Sequence, residues 1–264
     1  MQSAPAAAAA HIAVRDLRQT FVRAGMVTHA LDGLDLDVAQ GELVSVVGPS
    51  GCGKSTLLRI VAGLLPCTSG EVRLGGADVA GPQTDLGIVF QSPVLLDWRN
   101  VLDNVLIQLE LRGLDPQQYR ERAMQLLADV GLQGFENRRP RELSGGMRQR
   151  VAIVRALIHE PTLLLMDEPF GALDALTREQ MRIDLEKLWL VQRHTLVFVT
   201  HGIAEAVALA DRVVVMTPRP GRIEKIIPID LTRPRNKAVV ASVRFTEYCD
   251  EITECFMRNG VIRY

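Results

Sequence analysis

The stretch Gly48-Pro49-Ser50-Gly51-Cys52-Gly53-Lys54-Ser55-Thr56 restricts the folds open to this chain more than any other. It follows the apolar run Leu43-Val44-Ser45-Val46-Val47 and leads into Leu57-Leu58-Arg59-Ile60-Val61. That order reads as a buried strand, a glycine-rich turn and the first turn of a helix. It satisfies G-x-x-x-x-G-K-[ST] at every fixed position, in the context the pattern requires. The glycines let the backbone curl so that successive N–H groups point into one concavity, and the helix start adds its positive end there. In such a loop Lys54 reaches the β- and γ-phosphates and the Ser55 hydroxyl holds Mg²⁺. A bound nucleotide is the implication.

Composition bounds the setting. With 264 residues, 47% hydrophobic and 23% charged, the chain suits one large domain or a domain with a subdomain. A formal net charge of −1 supplies no positive field for nucleic acid as the main partner. Cys52, Cys67, Cys249 and Cys255 form no C-x-x-C pair, which suits reduced thiols rather than a disulfide framework or zinc site. No apolar run approaches the ~20 residues that span a bilayer, so action at a membrane requires a partner. The Ala-rich residues 1–10 have no basic start and are expected to form a loose, disordered tail.

Ile12 to Val38 alternates over short runs broken by Gly25 and Gly33, which predicts strands and turns. Phe21, in this region, suits core packing or stacking on an adenine ring. Gly63 stops the helix after the loop, Glu71–Leu74 reads as a strand, and Leu86–Phe90 is a short strand ending on Gln91. A glutamine at a strand's C-terminal end can reach a metal or water, or be a plain loop residue. From Val101 to Arg139 the period becomes helical. Val105, Leu106, Leu109 and Leu111 form one face, and Tyr119, Ala123, Leu126, Leu127 and Val130 another. Ser144-Gly145-Gly146 then opens a further helix, either as a plain N-cap or as a second anion-binding helix start.

Thr162–Met166 is a second buried strand that delivers Asp167-Glu168, adjacent acids that are costly without partners. Mg²⁺ on Asp167 and a water oriented by Glu168 would supply them. Leu196–Val199 delivers Thr200-His201, and Val213–Met216 is the last strong strand. Strands alternating with helices predict an α/β fold with a mostly parallel sheet. A helix is expected from Val239 to Met257, with Phe245, Tyr248, Ile252 and Phe256 on one face. Arg233, Arg235 and Arg244 read as a solvated basic face.

Together these motifs resemble the ATP-binding subunit of ABC transporters, over the whole length after the tail. Gly48–Ser55 is similar to that family's Walker A, and Leu163–Glu168 to its Walker B with the catalytic glutamate. Leu143–Arg150 resembles the signature motif, Gln91 the Q-loop, Gly171-Ala172-Leu173-Asp174 the D-loop and His201 the H-loop. Gly171 replaces a common Ser and Gly202 a common Asp, and neither change removes a catalytic group. The resemblance implies a P-loop NTPase core with an N-terminal antiparallel β-subdomain. Residues 11–235 would form the ATPase domain, with a helical subdomain inserted at about 97–150, and 236–264 a C-terminal helical extension.

The same resemblance implies ATP and Mg²⁺ as cofactors, with Phe21 stacking on adenine and Asp174 at the nucleotide interface. Lys54, Gln91, Glu168 and His201 would serve hydrolysis, and Ser55, Gln91 and Asp167 would hold the metal. It implies a head-to-tail homodimer in which Ser144, Gly145 and Gly146 reach the partner's nucleotide. Val89–Arg99 is similar to the nitrate, sulfonate and taurine importer branch, where Leu-Leu-Pro-Trp often stands in place of Leu95-Leu96-Asp97-Trp98. Integral membrane permeases, and indirectly a solute-binding protein, are then the expected partners. The location would be peripheral, on the cytoplasmic face of the inner membrane. An exporter ATPase, or an ABC ATPase acting on nucleic acid or ribosomes, is the competing reading; heptad runs and metal clusters typical of the latter are missing from the sequence.

Overall fold

The computed structural model describes residues 10–262, and positions 1–9 of the expected tail lie outside them. Ala10 itself is not tail: it opens strand β1 (Ala10–Arg23) and pairs with Ala39 of β2 (Met26–Ala39). The hairpin turns at Ala24 and Gly25, both at positive φ. Gly33 does not break the strand as expected but lies inside β2. It sits beside a register shift between Leu17 and Gln19, with φ of +71°.

The chain continues through β3 (Leu43–Val47), α1 (Lys54–Val61), β4 (Ser69–Leu74), β5 (Ala77–Asp78) and β6 (Leu86–Val89). Helices α2 (Val101–Leu111), α3 (Arg120–Asp129) and α4 (Gly145–Leu157) come next. β7 (Leu163–Asp167), α5 (Ala175–Gln192), β8 (Thr195–Thr200), α6 (Ile203–Leu209), β9 (Arg212–Met216) and β10 (Ile223–Pro228) follow, and α7 (Lys237–Val240) and α8 (Val243–Arg258) end the fold. One sheet, ordered β2-β1-β4-β5, is antiparallel. The other runs β10-β9-β3-β8-β7-β6 and is parallel except for β10 on β9.

Period-two alternation divides the parallel strands between two cores. Val44, Val46, Leu163, Leu165, Val197, Val199 and Val214 face α1 and the antiparallel sheet. Leu43, Val47, Leu164, Met166, Leu196, Phe198 and Val213 face the other way, onto the helices from α2 to α8. Both faces are covered, so these strands read as continuous apolar runs, and each fully buried side chain contributes about 1.5–3 kcal/mol. Every loop at the C-terminal ends of β3, β6, β7 and β8 therefore opens at one edge, where the site lies.

The helical stretch forms as α2 and α3, which pack on α4. Val105, Leu106 and Leu109 are buried, whereas Leu111, expected on the same face, is 75% exposed. α4 runs without interruption across residue 150.

The C-terminal region departs most from expectation. β10 was not anticipated, because Glu224 and Lys225 interrupt its apolar pattern. The expected helix is two, separated at Ala241-Ser242, with Ser242 capping α8 through Phe245 N at 3.2 Å. Arg233 and Arg235 are not solvated. Arg235 is 1% exposed, and its Nη1 donates to Val207 O and Ala210 O, both at 2.6 Å. Arg233 stacks 4.4 Å from the Trp189 ring and pairs with Asp211 at 2.8 Å and Glu186 at 3.1 Å. These arginines satisfy carbonyls at the C-terminal end of α6, which a helix leaves without partners. Burial, with Arg233 adding repulsion, pushes the Arg235 guanidinium down to about 10.

Candidate active site

The turn after β3 leaves no room for side chains. A Cβ on Gly48 would sit 2.7 Å from Cys52 Sγ, and one on Gly53 only 2.4 Å from Leu31 Cδ2. Gly51 and Gly53 have φ of +77° and +108°, which glycine adopts without strain. Leu57 N reaches Gly53 O at 2.9 Å, so the amides of Lys54, Ser55 and Thr56 precede the helical ladder as donors the helix does not use. Lys54 is buried and folds back on the loop, its Nζ donating to Gly48 O at 2.8 Å and Pro49 O at 3.1 Å. Burial pushes the Cys52 thiol up, with Lys54 acting against it.

β7 delivers both acids to this loop. Asp167 Oδ1 accepts from Ser55 Oγ at 2.7 Å. Burial raises the Asp167 carboxyl above its ordinary value; the Ser55 hydrogen bond works against that shift and Glu168 adds to it. Glu168 adopts φ of +46°, a left-handed conformation that costs a residue with a Cβ roughly 1–3 kcal/mol. Its carboxylate lies 3.7 Å from Lys54 Nζ and 3.2 Å from His201 Nδ1, which β8 delivers. Gln91 follows β6, whose exit is tied by Gln149 Nε2 donating to Phe90 O at 3.3 Å. A Cβ on Gly171 would lie 3.5 Å from Gln91 Nε2 and 3.8 Å from Glu168 Oε2, so the glutamine amide reaches the glutamate's surroundings.

A cavity of about 380 Å³ opens here, and its wall includes Phe21, Lys54, Gln91, Glu168 and Arg219. Ser50, Gly51, Gly53, Ser55 and Thr56 line it as well, with Gly48, Pro49 and Cys52 completing the loop. Asp167 joins through Ser55 and His201 through Glu168. The donor set fits Mg²⁺ brought by a phosphate. Ser55 and Asp167 offer hard oxygens, and Mg²⁺ at phosphates takes only one or two protein ligands beside water and phosphate oxygens. Among the described residues no group of three or more His, Cys, Asp or Glu could hold a metal alone.

Ser144, Gly145, Gly146 and Asp174 are not on this cavity wall. Ser144 Oγ caps α4 by accepting from Met147 N at 3.2 Å. Asp174 Oδ1 caps α5 by accepting from Thr177 N at 3.0 Å; hydrogen bonding from the Thr177 side chain, and then from its backbone, holds the carboxyl below its ordinary value. A Cβ on Gly146 would lie 2.6 Å from Thr177 Cγ2, so the N-termini of α4 and α5 pack side by side.

Two residues were not singled out from the sequence. Glu205, on the first turn of α6, accepts from Thr200 Oγ1 and is pushed up by burial. Arg219 reaches Gly51 O from the turn after β9, with Nε at 3.1 Å and Nη2 at 3.0 Å. Its target is 168 positions away, so nothing local signals it.

A family model described as ABC transporter matches residues 31–171. An ABC transporter ATP-binding protein of Methanocaldococcus jannaschii is 50% identical over 239 residues, covering 90% of this chain and 88% of the relative. The taurine import ATP-binding protein TauB of Rhizobium johnstonii is 46% identical over 235 residues, covering 87% and 90%. A solved dimeric bacterial ABC transporter cassette matches with a TM-score of 0.74 at 33% identity, covering 83% of this chain and 98% of that one. A dimeric post-hydrolysis cassette bound to ADP and phosphate matches with a TM-score of 0.73 at 32% identity, with the same coverage.

Proposed function

The chain belongs to the ABC transporter family as an ATP-binding, ATP-hydrolysing subunit, and on that premise we propose that it powers solute import. The solute is a small anionic molecule such as nitrate, a sulfonate or taurine, and it passes through a separate membrane permease. The observation that carries this reading is the division of the motifs. Lys54 and Glu168 meet at 3.7 Å on one cavity, while Ser144 and Asp174 cap α4 and α5 off that cavity's wall. In this reading the two groups are halves of different composite sites, each completed by a second copy of the chain.

In a head-to-tail dimer, Ser144 and Gly146 of one subunit close over the nucleotide held by its partner. Phe21 stacks on adenine, and Lys54 with the loop amides binds the phosphates. Bound Mg²⁺ supplies neutralisation of phosphate charge, and Ser55 and Asp167 hold it with Gln91 nearby. Glu168 orients the attacking water, and His201 holds Glu168 from the far side. Because a closed dimer buries ATP and an open one does not, the ligand's differential affinity drives closure.

The segment after Gln91 is suited to pass that movement to a permease. Arg155 binds Val94 O at 2.8 Å and Pro93 O at 2.9 Å, and the buried Asn104 binds Leu96 N at 2.7 Å and Leu96 O at 3.0 Å. Held this firmly, the segment still exposes Val94 and Trp98 at 60% and 72%. Among the described residues no helix is long and apolar enough to cross a membrane; in this reading the chain attaches peripherally at the cytoplasmic face, through the permease and the exposed Val94 and Trp98.

Vesicles carrying the chain together with a candidate permease, sought among the reading frames beside its gene, test this reading. ATP-dependent uptake of nitrate, a sulfonate or taurine supports it. Co-purification with ribosomes or DNA instead, without any hydrophobic partner, overturns it.

A further inference from the structure

The turn joining β9 to β10 is built onto the phosphate loop. Gly221 N donates to Ala30 O at 2.9 Å and Gly221 O accepts from Asp32 N at 3.0 Å, so the turn is hydrogen-bonded to β2 on both sides of Leu31. Arg222 Nε adds an ion pair to Asp32 at 3.0 Å. The same glycine presses against the loop: a Cβ on Gly221 would lie 2.0 Å from Cys52 O. From this anchored turn, Arg219 places Nε and Nη2 on Gly51 O at 3.1 and 3.0 Å. The neighbouring amide of that peptide unit, Cys52 N, donates to Pro49 O at 3.3 Å. The Gly51–Cys52 peptide is therefore held at both ends.

That peptide is where the loop is most free to misfold. Gly51 lies at φ of +77°, and glycine crosses between backbone basins without the penalty a Cβ imposes. A rotation there would turn a carbonyl toward the space the phosphates need and remove donors from it. Among the described residues, the hydrogen bonds of the Arg219 side chain go to Gly51 O, and the side chain lines the cavity beside Lys54 and Phe21.

We propose that Arg219 is a positioning residue for nucleotide binding, fixing the Gly51 carbonyl outside the phosphate cradle so that the loop is preorganised for a polyphosphate. The inference rests on the reading that this loop binds ATP. A loop that is competent only part of the time binds with an affinity reduced by that fraction. The effect falls equally on ground state and transition state, so KM rises while kcat holds.

Titration with a fluorescent ATP analogue, on the full chain, compares wild type, Arg219→Ala, Arg219→Lys and Lys54→Ala. Arg219 is exposed, so its replacement leaves the core intact. Loss of its charged hydrogen bonds should weaken binding of the analogue about tenfold in Arg219→Ala. KM for ATP should rise in parallel, with kcat within about twofold of wild type. Arg219→Lys keeps the charge but not the two-pronged grip, and should recover less than half of the loss. Wild-type affinity in Arg219→Ala, full recovery in Arg219→Lys, or a fall in kcat at unchanged affinity would each overturn the proposal. Failure of the wild type to bind, or undiminished binding by Lys54→Ala, would instead sink the reading of the site, and this inference with it.

Discussion

Ser55 on the phosphate loop donates a hydrogen bond to Asp167 at the end of β7, Oγ to Oδ1, at 2.7 Å. The pair joins segments 112 positions apart and holds a carboxylate that burial has already made costly. Hydroxyl and acid, the two groups proposed to hold Mg²⁺, are thus brought together by the fold.

The Asp167 carboxyl is raised above its ordinary value by burial. The folded chain then binds more protons than the unfolded one, so ligand-free stability falls as pH rises from about 3.9 through the raised value. Asp167→Asn removes this penalty. Its ligand-free melting temperature at neutral pH should exceed that of wild type, while the extra stabilisation by Mg²⁺ and ATP shrinks. A lower melting temperature, or an undiminished response to Mg²⁺ and ATP, contradicts this account.

Glu168→Gln keeps the size of the side chain between Lys54 and His201 but cannot take up a proton from water. ATP binding should persist while turnover drops at least about 100-fold, the lower end for a general base. With ATP the variant should run as a dimer on size-exclusion chromatography. Near-normal steady-state hydrolysis would refute the assignment.

Lys54→Ala and Ser144→Arg disable opposite halves of the proposed shared site. Mixed in equal amounts, they should regain activity that neither shows alone, because some mixed dimers carry one intact composite site. A mixture no more active than its components would place both residues in one chain's site.

Phe21→Ala should weaken ATP binding about 5- to 150-fold, since base–aromatic stacking is worth about 1–3 kcal/mol. Phe21→Tyr, which keeps the ring, should bind like wild type. Equal affinity of all forms in an equilibrium titration would return Phe21 to a packing role.

Arg235→Ala leaves the carbonyls of Val207, Ala210 and Ile229 without their buried donor. Leaving a buried polar group unsatisfied costs about 1–3 kcal/mol. Chemical denaturation should show a loss of that order; a loss below about 0.5 kcal/mol would mean that water replaces the guanidinium.

The glycine-rich loop was legible because its pattern is local. Leu43–Val61 runs strand, turn and helix in consecutive positions, and Asp167-Glu168 and Thr200-His201 stand at strand ends. The parallel sheet was legible for the same reason, its strands being buried on both faces and so continuously apolar. β10 was hidden by its charged residues, and Gly33 by the ability of a paired strand to carry a bulge. Leu111 fits the helical period yet faces outward, because period alone does not say where the neighbouring helix stops.

By itself the sequence determined which phosphate-binding and acid-bearing segments exist and which strands carry them, since backbone sterics and period-two burial act between near neighbours. Only the tertiary structure decided that Arg233 and Arg235 are buried caps of α6 rather than a solvated face. It alone brought Arg219 to Gly51, placed Glu168 between Lys54 and His201, and kept Ser144 apart from the cavity. A side chain's partners depend on which distant backbone comes within hydrogen-bond reach, and charge written in a sequence does not reveal what will surround it.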